Sequence, residues 1–568
     1  MKQPLQNAFI SGVERIAAWA DILDRINVFP VADGDTGRNL LISLTPLRQL
    51  HQHPEPIIHQ LLLSARGNSG NIAARFFSEF LKADSPEMLP RAAQIGRDQA
   101  WQAIRDPKPG TMLSVFDALT ETLGKDRFEA NGEDVPGIMD HLESAVRETS
   151  GQLPKLREAD VVDAGALGMF IYLEGFFRTL AGKTGTFRPP TAIFGDKLRI
   201  SPSFRESASA GYCIDMTLRT DDPSEETMKK LSEYGESVVI IPEKDCFKVH
   251  LHTDDREGTR KRLASLGQIV RWADDDMGTQ VRDFRRKNIS QAIHIMTDAA
   301  GSVSREDAKE FGITLLNSYI SVGDISLPET HLATSELYQA MRKGVRASTS
   351  QASVFERHQH YQRVLDQYEN VLYLCVGSVF TGNYHVAAEW QQAHDPDGRL
   401  TIIDTGAASG RLGITVLATA KYSAQTDDAG AVREFAASAV LQAQEYVFLD
   451  KLHYLAAGGR LSKTSAFFGD MFHMKPVITP TAEGAKKVGV MRNQKEQLLF
   501  ALEQLGKFLA KDANPFIMLE YSDNRSWVED VVKKAVQAVY PSAHIMLQSL
   551  SLTSGVHMGP GTWGIAFL

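Results

Sequence analysis

Over the first 180 or so residues, apolar side chains recur three and four positions apart, as in Phe9, Val13, Ile16 and Ala17 and in the later stretch LGMFIYLEGFFRTL. That period predicts helices, each with a buried face. Glycine-bearing breaks interrupt them: VADGDTGRN, ARGNSGN, KPGTM and DAGALG. Four such loops in an otherwise helical region predict helix ends converging on one site. The stretch from Gly185 to Pro202 carries both Pro and Gly and breaks the period, which marks a candidate domain boundary.

Beyond that stretch the period shortens. GYCIDMTLR, SVVIIPE and FKVHLHT read as strands, with helical KKLSEY and TRKRLASL between them, so a small α/β domain is expected. A second boundary falls in the charged segment Arg282 to Asn288. After it, AIHIMTD, NVLYLCVGS and LTIIDTG alternate with helical segments, and PFIMLEYS, HIMLQSLS and WGIAFL add further strands. The alternation predicts a mostly parallel α/β sheet with binding loops at the strand ends. The domains expected are 1–185, 200–285 and 291–568.

A chain of 568 residues is too long for one core, which agrees with this division. With 43% hydrophobic and 23% charged residues the composition is globular, and the net charge of −9 argues against a nucleic-acid surface. Three scattered cysteines, Cys213, Cys246 and Cys375, make no disulfide framework and suit a reducing compartment. No apolar run is long enough to span a bilayer, and the N-terminus has early Glu, Arg and Asp instead of a signal-peptide core. A cytoplasmic protein is expected.

The chemistry begins at NVFPVADGDTGRN. Asp33 and Asp35 lie one residue apart on a glycine-flexed loop, a spacing that lets both carboxylates face one hard cation. Taken alone, the loop is equally a solvated turn. ARGNSGN offers backbone amides and the Ser69 hydroxyl, the composition that cradles phosphate. Pro109-Gly110-Thr111 and Asp163-Ala164-Gly165 add two tight loops before helices, and the GxxxxGK[ST] phosphate loop is absent.

In this order and spacing the loops resemble the DhaL-type nucleotide-binding domain of dihydroxyacetone kinases and bacterial fatty-acid kinases. The resemblance implies an all-α helical barrel that binds ATP through Mg2+ at one rim. By it Asp33 and Asp35 are metal ligands with Asn27 accessory, and Asn39, Gly67, Asn68, Ser69, Gly70, Thr111, Asp163 and Gly165 line the nucleotide. Arg38 and Leu40 stand where that family more often has Thr and Met.

FKVHLHTDD places His250 and His252 on one strand face, and Cys213 in AGYCIDM is positioned to join them. Two His and one Cys suit Zn2+, but paired histidines on a strand also serve simply as hydrogen-bonded neighbours. The segment resembles the middle domain of fatty-acid kinases, which carries the same GYC and HxHTD elements, and this resemblance favours the zinc reading.

In the C-terminal half, small-polar loops follow strands: Thr349-Ser350-Gln351, Ser378 to Gly382, Asp404-Thr405, Gly458-Gly459-Arg460 and His557 to Gly561. Hydroxyls, a His and an Arg together suit a carboxylate or phosphate. The GxSxG pattern of a hydrolase elbow is not met around Ser378. TSQ, GSxxTG, GGR and HxGPG make this half resemble the DegV family of fatty-acid-binding proteins. That implies a two-lobed α/β (EDD) domain with a buried acyl tunnel. Thr349, Ser378 and His557 would hold the carboxylate, Ser350 and Gly382 would join them in the lipid-binding site, and Arg460 and Arg492 would neutralise an acyl phosphate. Ala299 replaces the Ser usual after Thr-Asp, and Asn383 a usual Thr.

Together the resemblances imply ATP-dependent phosphorylation of a long-chain fatty acid to an acyl phosphate, with Asp33, Asp35 and Arg460 catalytic and kinase and lipid carrier in one chain. They further imply a homodimer, transient work at the inner membrane surface and hand-over to acyltransferases of phospholipid synthesis. A dihydroxyacetone-like small-molecule kinase and a non-enzymatic lipid-binding or sensing protein are the alternatives.

Overall fold

A computed structural model describes residues 1–50, 54–124, 133–185, 187–205, 211–221, 224–243, 245–284, 291–457, 474–510 and 513–568. It divides into two compact units, Met1–Arg286 and Lys287–Leu568.

Among the described residues the first unit begins with nine α-helices: α1 (Gln3–Ile26), α2 (Thr36–Leu44), α3 (Pro54–Ser64), α4 (Gly67–Phe80), α5 (Leu89–Gln102), α6 (Met112–Leu123), α7 (Val135–Gln152), α8 (Pro154–Ala159) and α9 (Ala164–Leu180). Helix α1 packs on α2, α2 on α4, α4 on α5, α5 on α6, and α6 on α9, which returns to α1 and closes a ring. The ring encloses an aromatic core in which Phe76 stacks on Phe116 and Phe9 meets Phe176 edge-on. α1 and α2 approach so closely that a Cβ on Gly37 would lie 2.0 Å from the Ala20 carbonyl oxygen.

The stretch around the first expected boundary folds back onto this core. Ile193 and Phe194 are buried in it, and Ser201 N–H donates to the Ala159 carbonyl at 2.8 Å. Strands β1 (Tyr212–Arg219), β2 (Glu236–Glu243), β3 (Cys246–Thr253) and β4 (Gln268–Asp276) then form an antiparallel sheet in the order β2-β3-β1-β4. β4 carries Arg271 and three aspartates and is half exposed, so no apolar alternation announced it. The sheet shares one unit with the helices for a physical reason. Ile241 packs among Leu62, Ala65 and Ala74, and Ile240 N–H donates to the Ala103 carbonyl at 3.3 Å.

The described residues of the second unit form three sheets. β5 (His294–Asp298), β6 (Thr314–Leu316), β10 (Val371–Cys375) and β11 (Leu400–Asp404) form a parallel sheet in the order β11-β10-β5-β6, as the alternation predicts. β7 (Tyr319–Val322), β8 (Ile325–Pro328) and β9 (Ala347–Ser350) form a small antiparallel sheet. β12 (Gln444–Phe448), β13 (Lys475–Thr481), β14 (Gly484–Met491), β15 (Phe516–Tyr521), β16 (His544–Ser549) and β17 (Trp563–Phe567) make a third, in the order β14-β13-β12-β17-β15-β16.

In the third sheet only β15 and β16 pair in parallel, which corrects the expectation of a mostly parallel fold for this half. The two-residue turn between β13 and β14 leaves no room for a crossover, so those strands must run antiparallel. Separate cores lie on the first and third sheets, giving two lobes.

One buried carboxylate ties the first lobe together. Asp298 accepts from Arg357 (2.9 Å), Asn383 (2.8 Å), the Tyr373 hydroxyl (2.9 Å) and the Val376 N–H (2.9 Å). Asp298→Ala would leave Arg357, itself 2% exposed, charged and unpaired. A loss of about 3–5 kcal/mol is expected in the urea transition of this unit, and a loss under 1 kcal/mol would contradict the role given to Asp298.

Candidate functional site

In the first unit, helix starts converge on a cavity of about 470 Å³. Asn27, Asp33, Asp35, Asn39, Gly67, Asn68, Ser69, Thr111, Asp163, Gly165, Cys213, His250 and His252 all line it. Of the residues expected there, Gly70 does not. It faces Ser43, whose Oγ would sit 2.1 Å from an added Cβ.

Local hydrogen bonds set each loop. Asp24, at the end of α1, accepts from the N–H groups of Gly37 (2.7 Å) and Arg38 (3.1 Å), and so caps α2 from its neighbour. Asn27 donates to Asp33 and accepts from Thr36 at 2.9 Å. Gly67 opens α4 at φ +61°, with Asn39 where a Cβ would stand. Asp163 caps α9 through the Ala166 N–H at 2.7 Å, and Thr111 accepts from the Leu113 N–H at 3.4 Å.

The paired aspartates are under electrostatic stress. Burial, then the neighbouring Asp35, pushes the Asp33 carboxyl well above the usual range. Asp35 is raised by burial as well, despite Arg38 at 3.5 Å. Two half-buried carboxylates lining one cavity, with Arg38 beside Asp35, are a donor set that a hard divalent cation would relieve, so Mg2+ fits these residues. Burial also pushes Asp163 up to about 7.

Cys213, His250 and His252 form one buried cluster, their ligand atoms within 4.8 Å of one another. Register explains it: Cys213 pairs with His252 and Asp215 with His250 across β1 and β3, all on one face. Burial, then His250, lowers His252 to about 3, so the ring is neutral and free to ligate. Nδ1 of His250 lies 3.3 Å from Asp215 and 3.9 Å from the Cys213 sulfur, and its Nε2 is buried without a partner among the described residues. A carboxylate on one ring nitrogen and an orphaned second nitrogen are what a zinc-bound histidine presents, so the donor set fits Zn2+. Burial and the surrounding carboxylates push the Cys213 thiol well up, which a bound cation would reverse.

The second unit has an apolar cavity of about 140 Å³ walled by residues such as Val447, Leu455, Ile478 and Met558. Thr349, Ser350 and His557 line it, and Thr349 Oγ1 lies 3.3 Å from His557 Nε2. Ser378 and Gly382 lie outside the lining, because the loop turns Phe380, Thr381 and Asn383 inward instead, the last held by Asp298. Ser378 N–H is engaged by Asp404 at 3.0 Å. Arg492 is exposed at the end of β14, where its N–H donates to Glu496 at 2.9 Å. Arg460 lies outside the described residues.

Three family models match the chain in order: the DAK2 domain over residues 30–178, the middle domain of the fatty acid kinase type over 209–284, and the DegV family, itself described as uncharacterised, over 292–568. The chain carries all three domains. The resemblances drawn from the loop motifs are therefore those the models find. An uncharacterized protein of Staphylococcus saprophyticus is 28% identical over 322 residues, covering 52% of this chain and 58% of that protein. One of Staphylococcus epidermidis is 27% identical over 376 residues, covering 59% and 67%. The chain thus spans about three fifths of the curated relatives it matches.

The DegV region is similar to two solved structures. One is described as fatty acid binding of a DegV family protein from Thermus thermophilus (22% identity, TM-score 0.45, 49% of this chain and 99% of that one). The other is DegV, a fatty acid binding protein from Bacillus subtilis (19%, 0.45, 49% and 99%). No helix among the described residues is long and apolar enough to cross a membrane.

Sequence reasoning passed over Asp215 and Asp24, which face the site from behind the cavity wall. For Asp215 the signal was its place two residues after Cys213 on the same strand face.

Asp163 predicts a pH dependence. Its folded value of about 7 lies above the 3.8 of an ordinary aspartate, so its contribution to stability is full below pH 4 and is lost as pH rises to 7. Asp163→Asn keeps a capping oxygen and removes the charge. The melting temperature of the variant should exceed that of the wild type at pH 8 and fall level with it or below at pH 4. Parallel curves would contradict the shift.

Proposed function

We propose that this chain is an ATP-dependent kinase that phosphorylates the carboxylate of a bound long-chain fatty acid to an acyl phosphate. One observation carries the reading. A single cavity in the DAK2 and middle domains gathers stressed paired carboxylates with glycine-opened helix starts, on the same chain as a DegV domain.

The acceptor needs no general base, because a carboxylate titrates near 4–5 and is ionised at neutral pH. One of its oxygens forms a bond to the γ-phosphorus while the bond to the β,γ-bridging oxygen breaks, leaving ADP. Asp33 and Asp35, steadied by Asn27, would hold Mg2+, whose charge neutralises the phosphates. The α4 start would offer the N–H groups of Asn68 and Ser69 and the Ser69 hydroxyl to anionic oxygens, with the Gly67 N–H held by Asp215. Asn39, Thr111, Asp163 and Gly165 bound the nucleotide. Cys213, His250 and His252 would hold Zn2+ in a structural role.

Thr349 and His557 head the acyl cavity and would take the fatty-acid carboxylate, with Arg460 compensating the acyl-phosphate charge. Fusion raises the effective concentration of kinase and lipid carrier for each other. In this reading the product passes to acyltransferases at the inner membrane surface.

Incubation with ATP, Mg2+ and palmitate in the presence of hydroxylamine should give a hydroxamate. None from the wild type overturns the acyl-kinase reading. Asp35→Asn should lower the rate about 100-fold or more, and an unchanged rate would remove Asp35 from the metal site. His557→Ala should weaken palmitate binding by calorimetry about tenfold. Unaltered affinity would place the head group elsewhere.

A further inference from the structure

Behind the cavity of the first unit, one carboxylate is used by both the phosphate-binding loop and the thiol–imidazole cluster. Asp215 sits on β1, directly opposite His250 on β3, with its side chain 12% exposed. Its Oδ2 accepts the N–H of Gly67, the first residue of α4, at 3.0 Å. Its Oδ1 accepts from Asn71 Nδ2 at 3.3 Å and lies 3.3 Å from His250 Nδ1. Asn71 in turn donates to the Gly67 carbonyl at 2.7 Å, so one peptide unit and one side chain of the loop hang on this carboxylate. Asp215 is not in the cavity lining.

We propose that Asp215 is a positioning residue that couples occupation of the Cys213–His250–His252 cluster by Zn2+ to nucleotide affinity at the Gly67–Ser69 loop. The inference rests on the kinase reading above, since it takes that loop as the phosphate cradle. A cation on the free nitrogen of His250 fixes the ring, and the ring's other nitrogen then holds Asp215 in the one orientation that serves Gly67 and Asn71. With the cluster empty the ring is released, the carboxylate loses a partner, and the loop is less well ordered before phosphate arrives. Orientation of ligand histidines by carboxylates is general, but here the carboxylate also anchors the start of a helix. A merely structural Asp215 would stabilise both elements without linking them. The link must be reciprocal, because affinities joined by one equilibrium change by the same factor in both directions.

The test uses the full chain in excess Mg2+ and measures ADP binding by calorimetry, zinc-loaded and after treatment with a zinc-selective chelator. Zn2+ affinity is measured by competition with a chromophoric chelator, with and without ADP. Removal of zinc should weaken ADP binding about fivefold or more, and ADP should tighten zinc by the same factor. In Asp215→Ala both ligands should bind more weakly and the factor should fall to one. Asp215→Asn serves if the alanine variant does not fold, and the wild-type measurement needs no variant. Binding of both ligands with no mutual effect overturns the coupling and leaves the kinase reading standing, as does a wild-type factor retained in Asp215→Ala. Absence of ADP or zinc binding in the wild type overturns the site assignment and the coupling with it.

Discussion

A carboxylate taken out of water must find donors, a counter-charge or a proton, and the first unit is arranged around two that find too little. Asp33 is raised by burial and by Asp35, and Asp35 by burial, with Asn27 relieving the first and Arg38 both, incompletely. Their position follows from packing. Helices α1 and α2 touch backbone to backbone at Gly37, and Asp24 caps α2 from α1, so the loop between them is confined against the ring of helices. The positive ends of α4, α6 and α9 start from residues lining the same cavity, which favours anions there. Negative side chains and positive helix ends in one enclosure ask for a cation bridged to an anion, the composition of a metal–nucleotide pair.

The second unit meets the same constraint in two other ways. Asp298 receives four donors, one of them a buried arginine, and is spent on holding β5, β10 and the loop through Asn383 together. Glu445 and Glu520, both fully buried, share their problem instead. Glu445 takes the Ser409 hydroxyl at 2.7 Å and the N–H groups of Gly410 and Arg411, while burial and then Glu445 itself push the Glu520 carboxyl well up. Asp298 and Glu445 are spent on building structure, whereas Asp33 and Asp35 line a cavity and stay available to a ligand.

Much of this was legible in the residues. Helical period, the two α/β regions and the three domain resemblances all follow from local pattern, and so does the gathering of loops, because each loop carries its own turn chemistry. What was not legible depends on contacts distant in sequence. The antiparallel pairing of β12, β13 and β17 joins segments far apart and leaves no trace in their hydropathy. Ser378 looked like a site residue by its motif, yet a tight turn commits its N–H to Asp404 and gives the cavity wall to Thr381 and Asn383. Asp215 carried a faint signal only, since an aspartate in a strand ordinarily marks a solvated face.

That ordinary expectation fails for the middle sheet, and the failure is what makes the sheet chemical. Phe247, Val249 and Leu251 of β3 and Ile214, Met216 and Leu218 of β1 form the domain's own core. The alternate positions, Lys248, His250, His252, Cys213 and Asp215, would face water in an isolated antiparallel sheet. Here that face is covered by the helical region, through Ile241 among α3 and α4 residues and Gly67 on Asp215. Lys248 and His250 are consequently as buried as the core on the other side, and a buried polar group persists only with partners. A polar strand face pressed against helix starts therefore has to organise itself into ion pairs, hydrogen bonds and a ligand-competent cluster. Cys213, His250 and His252 are the part of that layer able to take a cation, and His250 Nε2 is left without a partner among the described residues.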